Sequence, residues 1–506
     1  MPEIRENAGR HEFDGKLQDL SPGGIASLLS RLGEGPRDPD RHDESHLSAM
    51  EAGVHAGYAV IEQHRWNPLV HLMNLDLACY DREYAAAADR RRARIEHLAG
   101  WPKAIANAIE SLDRVPAPVS KALLPSTRGL TAGLDELARD EGQADGAEGG
   151  GLNVQTIVEQ ASAAHARLVA HLELAADSGP PEVALGASAL ARLLGAPEGL
   201  PVDLGRLERA ADAERARLRA RLEEDCDRYR PGSNPAELLA ELHRDHPDAD
   251  GIYAEATSII EDATVFTLER DLLPPLGGEC LVGPSPASRR DAVAMMSWSA
   301  PDEDDAPAWY YVNPPDPSWP PEEQDQWLSM FCATTLPGIT VLEVMPGHFA
   351  HGQMLGRARG DVRRTLYSLA FVEGWAHYAE ELLVEEGFRK EDPRFAIGVW
   401  VEALVRVTRF AVALGIHTGS MTPEEAARRF EEDAFLEGAG ARSEARRATF
   451  DPTYGRYTWG KLEILKLRDE AQAAWGTRYS YRRFHESLLA LGAPPLGTMG
   501  DALGDL

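Results

Sequence analysis

Two short segments concentrate the side chains able to hold a metal or move a proton: EVMPGHFAHGQ, from Glu343 to Gln353, and FVEGWAHYAEE, from Phe371 to Glu381. Imidazole and carboxylate together bind hydrolytic divalent metals, and a further carboxylate can act as general base on a bound water. His348 and His351 stand three residues apart and share a helical face. Glu373, His377 and Glu380 fall within an arc of about 60° on one helix. Glu343 lies five residues before His348 and on a straight helix would point elsewhere. Pro346 breaks that helix by disfavouring helical geometry at Met345, and Gly347 allows a close approach of backbone. The plainer alternative is a set of solvated polar residues with Trp375 and Tyr378 in the core, the ordinary fate of charged residues on helices.

Those residues need helices to carry them, and the chain is rich in helical patterning. Apolar residues recur at helical spacing from about 49 to 137, as in Leu69, Leu72, Met73 and Leu77, then again from 154 to 174 and from 204 to 229. Between the first two runs, RDEGQADGAEGGG (139–151) has nothing to bury and reads as a flexible loop. From 277 to 317 the short runs CLVG, AVAMMSW and AWYYV signal strands. Helices resume after Pro320 and extend to about Leu491, including a long run from Arg363 to Glu386. The expected fold is mainly α, one large helical unit over 1–506. It comprises an N-terminal helical half (1–276), a small β-element (277–317) and a C-terminal helical half (318–506) carrying the candidate site.

Other segments offer binding groups. AWYYVNPPDP, with Tyr310 and Tyr311, reads either as core packing or as an edge strand holding an extended peptide. Arg406 and Arg409 share a helical face and could clamp a substrate carboxylate, although structural ion pairs explain such arginines as often. GRYTWGK has the glycine and lysine spacing of a phosphate loop, but Leu462 stands where Ser or Thr belongs, which removes that reading.

Acidic residues outnumber basic ones by 82 to 52, giving a net charge of −30 that repels nucleic acid and anionic lipid alike. The four cysteines are widely spaced, as in a reduced compartment. The N-terminus lacks a signal-like apolar core, and no apolar run approaches the roughly 18 residues of a spanning helix. The expectation is a cytoplasmic protein with no membrane or nucleic-acid partner.

LEVMPGHFAHGQ and EGWAHYAE, together with GIHTGSMTPEEA, YTWGK, LEILKLRDEA and FHESLLALGAPPLG, resemble domain-of-unknown-function family 885. Its fold is similar to that of the thermostable carboxypeptidases and related helical gluzincins. The resemblance is specific from about Trp309 to Gly497. It implies His348 and Glu373 as metal ligands, Glu343 as general base, Tyr457 as an oxyanion-steadying hydroxyl and the Trp309–Pro314 segment as a substrate-binding edge. It also implies a divalent metal, zinc first, with manganese or iron open.

The family's first histidine is Leu342 here, and leucine coordinates nothing. Glu343 could enter the ligand shell, His351 or His377 could replace the lost imidazole, or the site could be metal-free. The expected activity is a metallopeptidase-like, carboxypeptidase-like or amidase hydrolysis of a small peptide or amide by metal-activated water. The alternatives are a retired peptidase scaffold that binds, or a non-hydrolytic metalloenzyme using the same cavity.

Overall fold

The computed structural model describes residues 5–134, 137, 154–286, 289, 293–303 and 306–504, so the 139–151 stretch lies outside the described residues. Among the described residues helices dominate, joined by one three-stranded sheet. Helices α1 (Ala87–Ser111), α2 (Ala117–Gly129) and α3 (Val154–Ser178) enclose one core, which runs from Ile61 to Leu193. A larger core draws its residues from between Leu190 and Ala502, and a smaller one gathers residues from Val405 to Tyr454. Packing therefore divides near residue 190 rather than at 276. The reason is that α4 (Leu204–Tyr229) lies along a C-terminal helix, and α5 (Gly251–Glu269) packs into the same interior.

The charged pattern of α4 resolves into two faces. Leu207, Ala211, Leu218 and Leu222 are buried at helical spacing, while most of its arginines face outward. Glu214 is drawn inward by a buried charge described below.

Strands β1 (Cys280–Gly283), β2 (Ala294–Ser297) and β3 (Ala308–Val312) form a sheet of order β1-β3-β2. β3 pairs parallel with β1 and antiparallel with β2, so it is the central strand. Its aromatic residues serve the core. An extended peptide cannot add to it by main-chain hydrogen bonds, because both its edges are already paired.

Among the helices of the C-terminal half, those that bear on the candidate site are α6 (Leu336–Glu343), α7 (His348–Leu355), α8 (Leu369–Glu386), α9 (Arg394–Thr418), α10 (Gly438–Phe450) and α11 (Arg456–Trp475). The run from Arg363 to Glu386 is not one helix. A short turn of helix, Asp361–Thr365, gives way to extended backbone, and Ser368 then caps α8 by accepting from the Phe371 amide. The Ser368 hydroxyl also donates to Glu198, which takes the Leu496 amide as well. Burial pushes Glu198 up to about 7.

α8 and α11 cross on glycine. A Cβ on Gly374 would stand 2.5 Å from the Gly460 Cα, and one on Gly460 would collide with the Ala370 carbonyl oxygen. No side chain fits between the two backbones. Beside the crossing, the fully buried Lys461 ammonium donates to Glu214 at 2.6 Å and to Glu381 at 2.9 Å, and Arg217 bridges the same two carboxylates. Three helices are thereby joined through paired buried charge, which is tolerable only because each charge has partners. Among the described residues no single helix is long and apolar enough to cross a membrane.

Candidate active site

The Pro346–Gly347 pair does what the sequence requires of it. α6 ends at Glu343 and α7 begins at His348, with a cis peptide between Met345 and Pro346. A Cβ at Gly347 would collide with the Leu342 carbonyl oxygen, so only glycine allows so tight a return. The indole of Trp375 donates to the Pro346 carbonyl oxygen at 3.0 Å and fastens the turn to α8. Glu343 and His348, which a straight helix would separate, are brought to one place.

There His348 Nε2 lies 3.3 Å from Glu373 Oε2. Burial opposes charge on the imidazole, but the hydrogen bond and charge of Glu373 outweigh it and raise the His348 pKa above its usual value. Burial likewise pushes Glu373 up, and His348 reverses that to leave the carboxyl below its usual range. The two directions agree on an imidazolium–carboxylate pair. Glu343 is buried beside it. Desolvation holds its pKa up, His348 pulls it down, Glu373 pushes it up again, and a main-chain hydrogen bond from Met296 ties it to β2.

Tyr457, on the first turn of α11, is held relative to Glu373 by the glycine crossing, since Glu373 precedes Gly374 and Tyr457 lies one turn before Gly460. Its phenol pKa is raised by burial and by the charge of Glu373. The guanidinium groups of Arg409 and Arg456 lie 5.6 and 5.8 Å from its ring centre. Glu343, His348, Glu373 and Tyr457 all line one cleft of about 750 Å³. The cleft walls come from β2, Trp298, the start of α8, the end of α2 and the helix Pro68–Leu75.

The remaining sequence candidates lie elsewhere. His351 Nε2 donates to the Gly492 carbonyl oxygen at 3.1 Å, its ring packs against Trp298 and Phe371, and burial lowers its pKa to about 4. His377 Nδ1 sits 3.0 Å from Glu380 Oε2, which also accepts from Arg406 at 2.8 Å. Burial and the positive Lys461 and Arg406 push His377 well below its usual pKa. Neither histidine lines the cleft, so neither replaces the imidazole that Leu342 lacks.

Arg406 is buried between Glu380 and Glu402, and Arg409 is paired with Glu444, so neither is available to a substrate carboxylate. Tyr310 is fully buried with its hydroxyl 3.3 Å from Thr340 Oγ1, and Tyr311 stacks on Trp309. The edge strand beside the site is β2, not the segment containing these tyrosines.

The donors do not fit the divalent metal implied by the resemblance. Among the described residues no three His, Cys, Asp or Glu side chains are grouped to hold an ion. Leu342 brings a side chain without a donor into the cleft, which leaves His348 and Glu373, 3.3 Å apart, with Glu343 as the donors there.

No motif marks the cleft's far wall. Leu69, Leu72 and Met73 recur at helical spacing in the sequence, and all three line the cleft, where Met73 is 40% exposed. Periodicity marks the apolar face of a helix but not whether that face is covered.

The family described as "Bacterial protein of unknown function (DUF885)" matches residues 2–503. A solved structure described as a "putative lipoprotein of unknown function from Shewanella oneidensis" superposes with a TM-score of 0.78 at 19% identity, covering 97% of this chain and 94% of that one. A second, the "putative lipoprotein from Colwellia psychrerythraea", gives a TM-score of 0.78 at 17% identity, covering 97% and 92%. No curated protein matches the chain. These likenesses establish a shared mainly helical fold, and none of the descriptions names a peptidase. Both solved proteins of this fold are described as putative lipoproteins, a description that runs against the cytoplasmic expectation.

Proposed function

This chain belongs to the DUF885 family, and from that premise and its cleft geometry we propose that it hydrolyses a peptide or amide bond in a small substrate. The observation that carries the reading is the convergence of Glu343, the His348–Glu373 pair and Tyr457 on one cleft beside an edge strand. β2 offers main-chain groups along which an extended substrate adds as a further strand.

Glu343, with its raised pKa, acts as general base and takes a proton from the attacking water. The water oxygen bonds to the substrate carbonyl carbon. The His348 imidazolium, kept charged by Glu373, and the Tyr457 hydroxyl face the oxyanion that forms. Glu343 then returns its proton to the leaving nitrogen, the C–N bond breaks, and a carboxylic acid and an amine depart. His348 supplies in this scheme the positive charge that a metal gives other hydrolases, and no step passes through an ion. The test is incubation with a library of blocked dipeptide amides, read by mass spectrometry. Cleavage by the wild type and its loss in Glu343→Gln supports the proposal, and an unchanged library sinks it.

One observation favours a second reading. Leu342 in the cleft makes its floor partly apolar, which suits a protein that binds such ligands without turning them over. Calorimetric binding of an intact amide with no product formed would select it.

A further inference from the structure

The cleft is lined by polar and apolar side chains alike, and on α8 the two kinds stand one helical turn apart. Glu373 projects from α8 into the cleft, and so does Leu369 one turn earlier, with Val372 between them. Successive turns of a helix are about 5.4 Å apart, close to the distance from a reacting carbonyl to the side chain beside it. Leu369 is 57% exposed, an unusual state for a leucine at the start of a helix whose other apolar residues are almost all buried. The helix Pro68–Leu75 presents Leu69, Leu72 and Met73 to the same space, again at helical spacing. Among the exposed large apolar side chains of the described residues, Met73 and Leu369 are the two that line this cleft.

Charge sets a second condition. The carboxylates of Glu6, Asp76, Glu343 and Glu373 reach the cleft against the cations Arg289 and His348. Arg289 is consumed by Glu6 and by Asp76, the latter at 2.7 Å, and His348 by Glu373. No unengaged cation is left among the described lining residues to receive an acidic side chain.

We propose that the cleft selects substrates carrying an uncharged apolar side chain next to the hydrolysed bond, packed against Leu369 and Met73, and that it rejects acidic ones. The assignment rests on the hydrolase reading for its account of the floor, but it concerns the wall and is tested without turnover. Packing a leucine or phenylalanine side chain against these residues favours it over glycine by on the order of tenfold to a hundredfold in affinity.

The experiment is calorimetric titration of the full chain with N-acetyl amides of Gly, Leu, Phe, Lys and Asp, repeated on Leu369→Asn and Met73→Asn. Both side chains are exposed, so these variants keep the fold. The expected result is Leu and Phe tightest, Asp weakest, and a flattened ranking in either variant with the Gly amide unchanged. A flat wild-type ranking, a preference for Asp, no binding of any amide, or a ranking untouched by the variants overturns the proposal. Apolar preference without cleavage would leave this selection standing and defeat the hydrolase reading. Cleavage with no side-chain preference would do the reverse.

Discussion

His348 Nε2 at the start of α7 and Glu373 Oε2 on α8 lie 3.3 Å apart, and each favours the other's charged form. Burial alone would neutralise the imidazole, so its charge depends first on Glu373, with the nearby Glu343 adding to it. In Glu373→Gln the His348 pKa should fall from above 6.5 to below it, seen as a shift of its ring-proton resonances in an NMR titration. A resonance that does not move would mean that another group holds the charge.

The same pair fixes the shape of the pH–activity profile. Activity needs Glu343 deprotonated and His348 protonated, so kcat/KM should rise as pH passes the raised Glu343 pKa, above 4.5, and fall as it passes the raised His348 pKa, above 6.5. In Glu373→Gln the alkaline limb should move to lower pH while the acid limb follows Glu343. A profile that only rises with pH through the alkaline range would remove His348 from its role as a cation.

Glu343→Gln should reduce turnover by about 10²–10⁴-fold while leaving amide binding nearly intact, because a general base acts on the transition state rather than on the bound ground state. Parallel kinetics and calorimetry separate the two. Equal losses in both would make Glu343 a binding or structural group.

His351→Asn and His377→Asn should leave activity unchanged per folded molecule, since both rings lie behind the cleft wall in their own hydrogen bonds. Thermal unfolding should register the changes instead. A selective loss of turnover in either variant would return that histidine to the site.

Gly374→Ala should destabilise the protein by about 1–3 kcal/mol, since the added methyl forces α8 and α11 apart. Lys461→Met should cost about 3–5 kcal/mol by leaving Glu214 and Glu381 to share Arg217 alone. Denaturant midpoints measure both. The glycine variant carries the further expectation of lost turnover in the folded fraction, because the crossing sets Tyr457 against Glu373.

Much of this arrangement is legible in the residues themselves. Pro346 and Gly347 announce a break, and the break brings Glu343 and His348 together as their spacing requires. The ends of α4 coincide with its apolar pattern. What spacing could not tell was the fate of His351 and His377. Both share a helical face with residues that line the cleft, yet a peptide carbonyl at Gly492 and a carboxylate at Glu380 claim them, and those partners arrive from distant sequence or from an adjacent turn. β3 misled in the same way: aromatic residues suit an exposed edge or a buried centre equally, and strand order is a tertiary property. The helix Pro68–Leu75 contributes to the cleft from the N-terminal half, where no motif marks it.

The central claim is that Glu343 and the His348–Glu373 pair perform hydrolysis with the charge of an imidazolium. Its most direct measurement is the rate of cleavage of N-acetyl-leucine 4-nitroanilide before and after exhaustive dialysis against a chelator, by the wild type, Glu343→Gln and His348→Gln. The account predicts the same wild-type rate before and after dialysis and no cleavage by either variant. Cleavage that survives both substitutions, no cleavage by the wild type, or a wild-type rate abolished by the chelator and restored by zinc would contradict it.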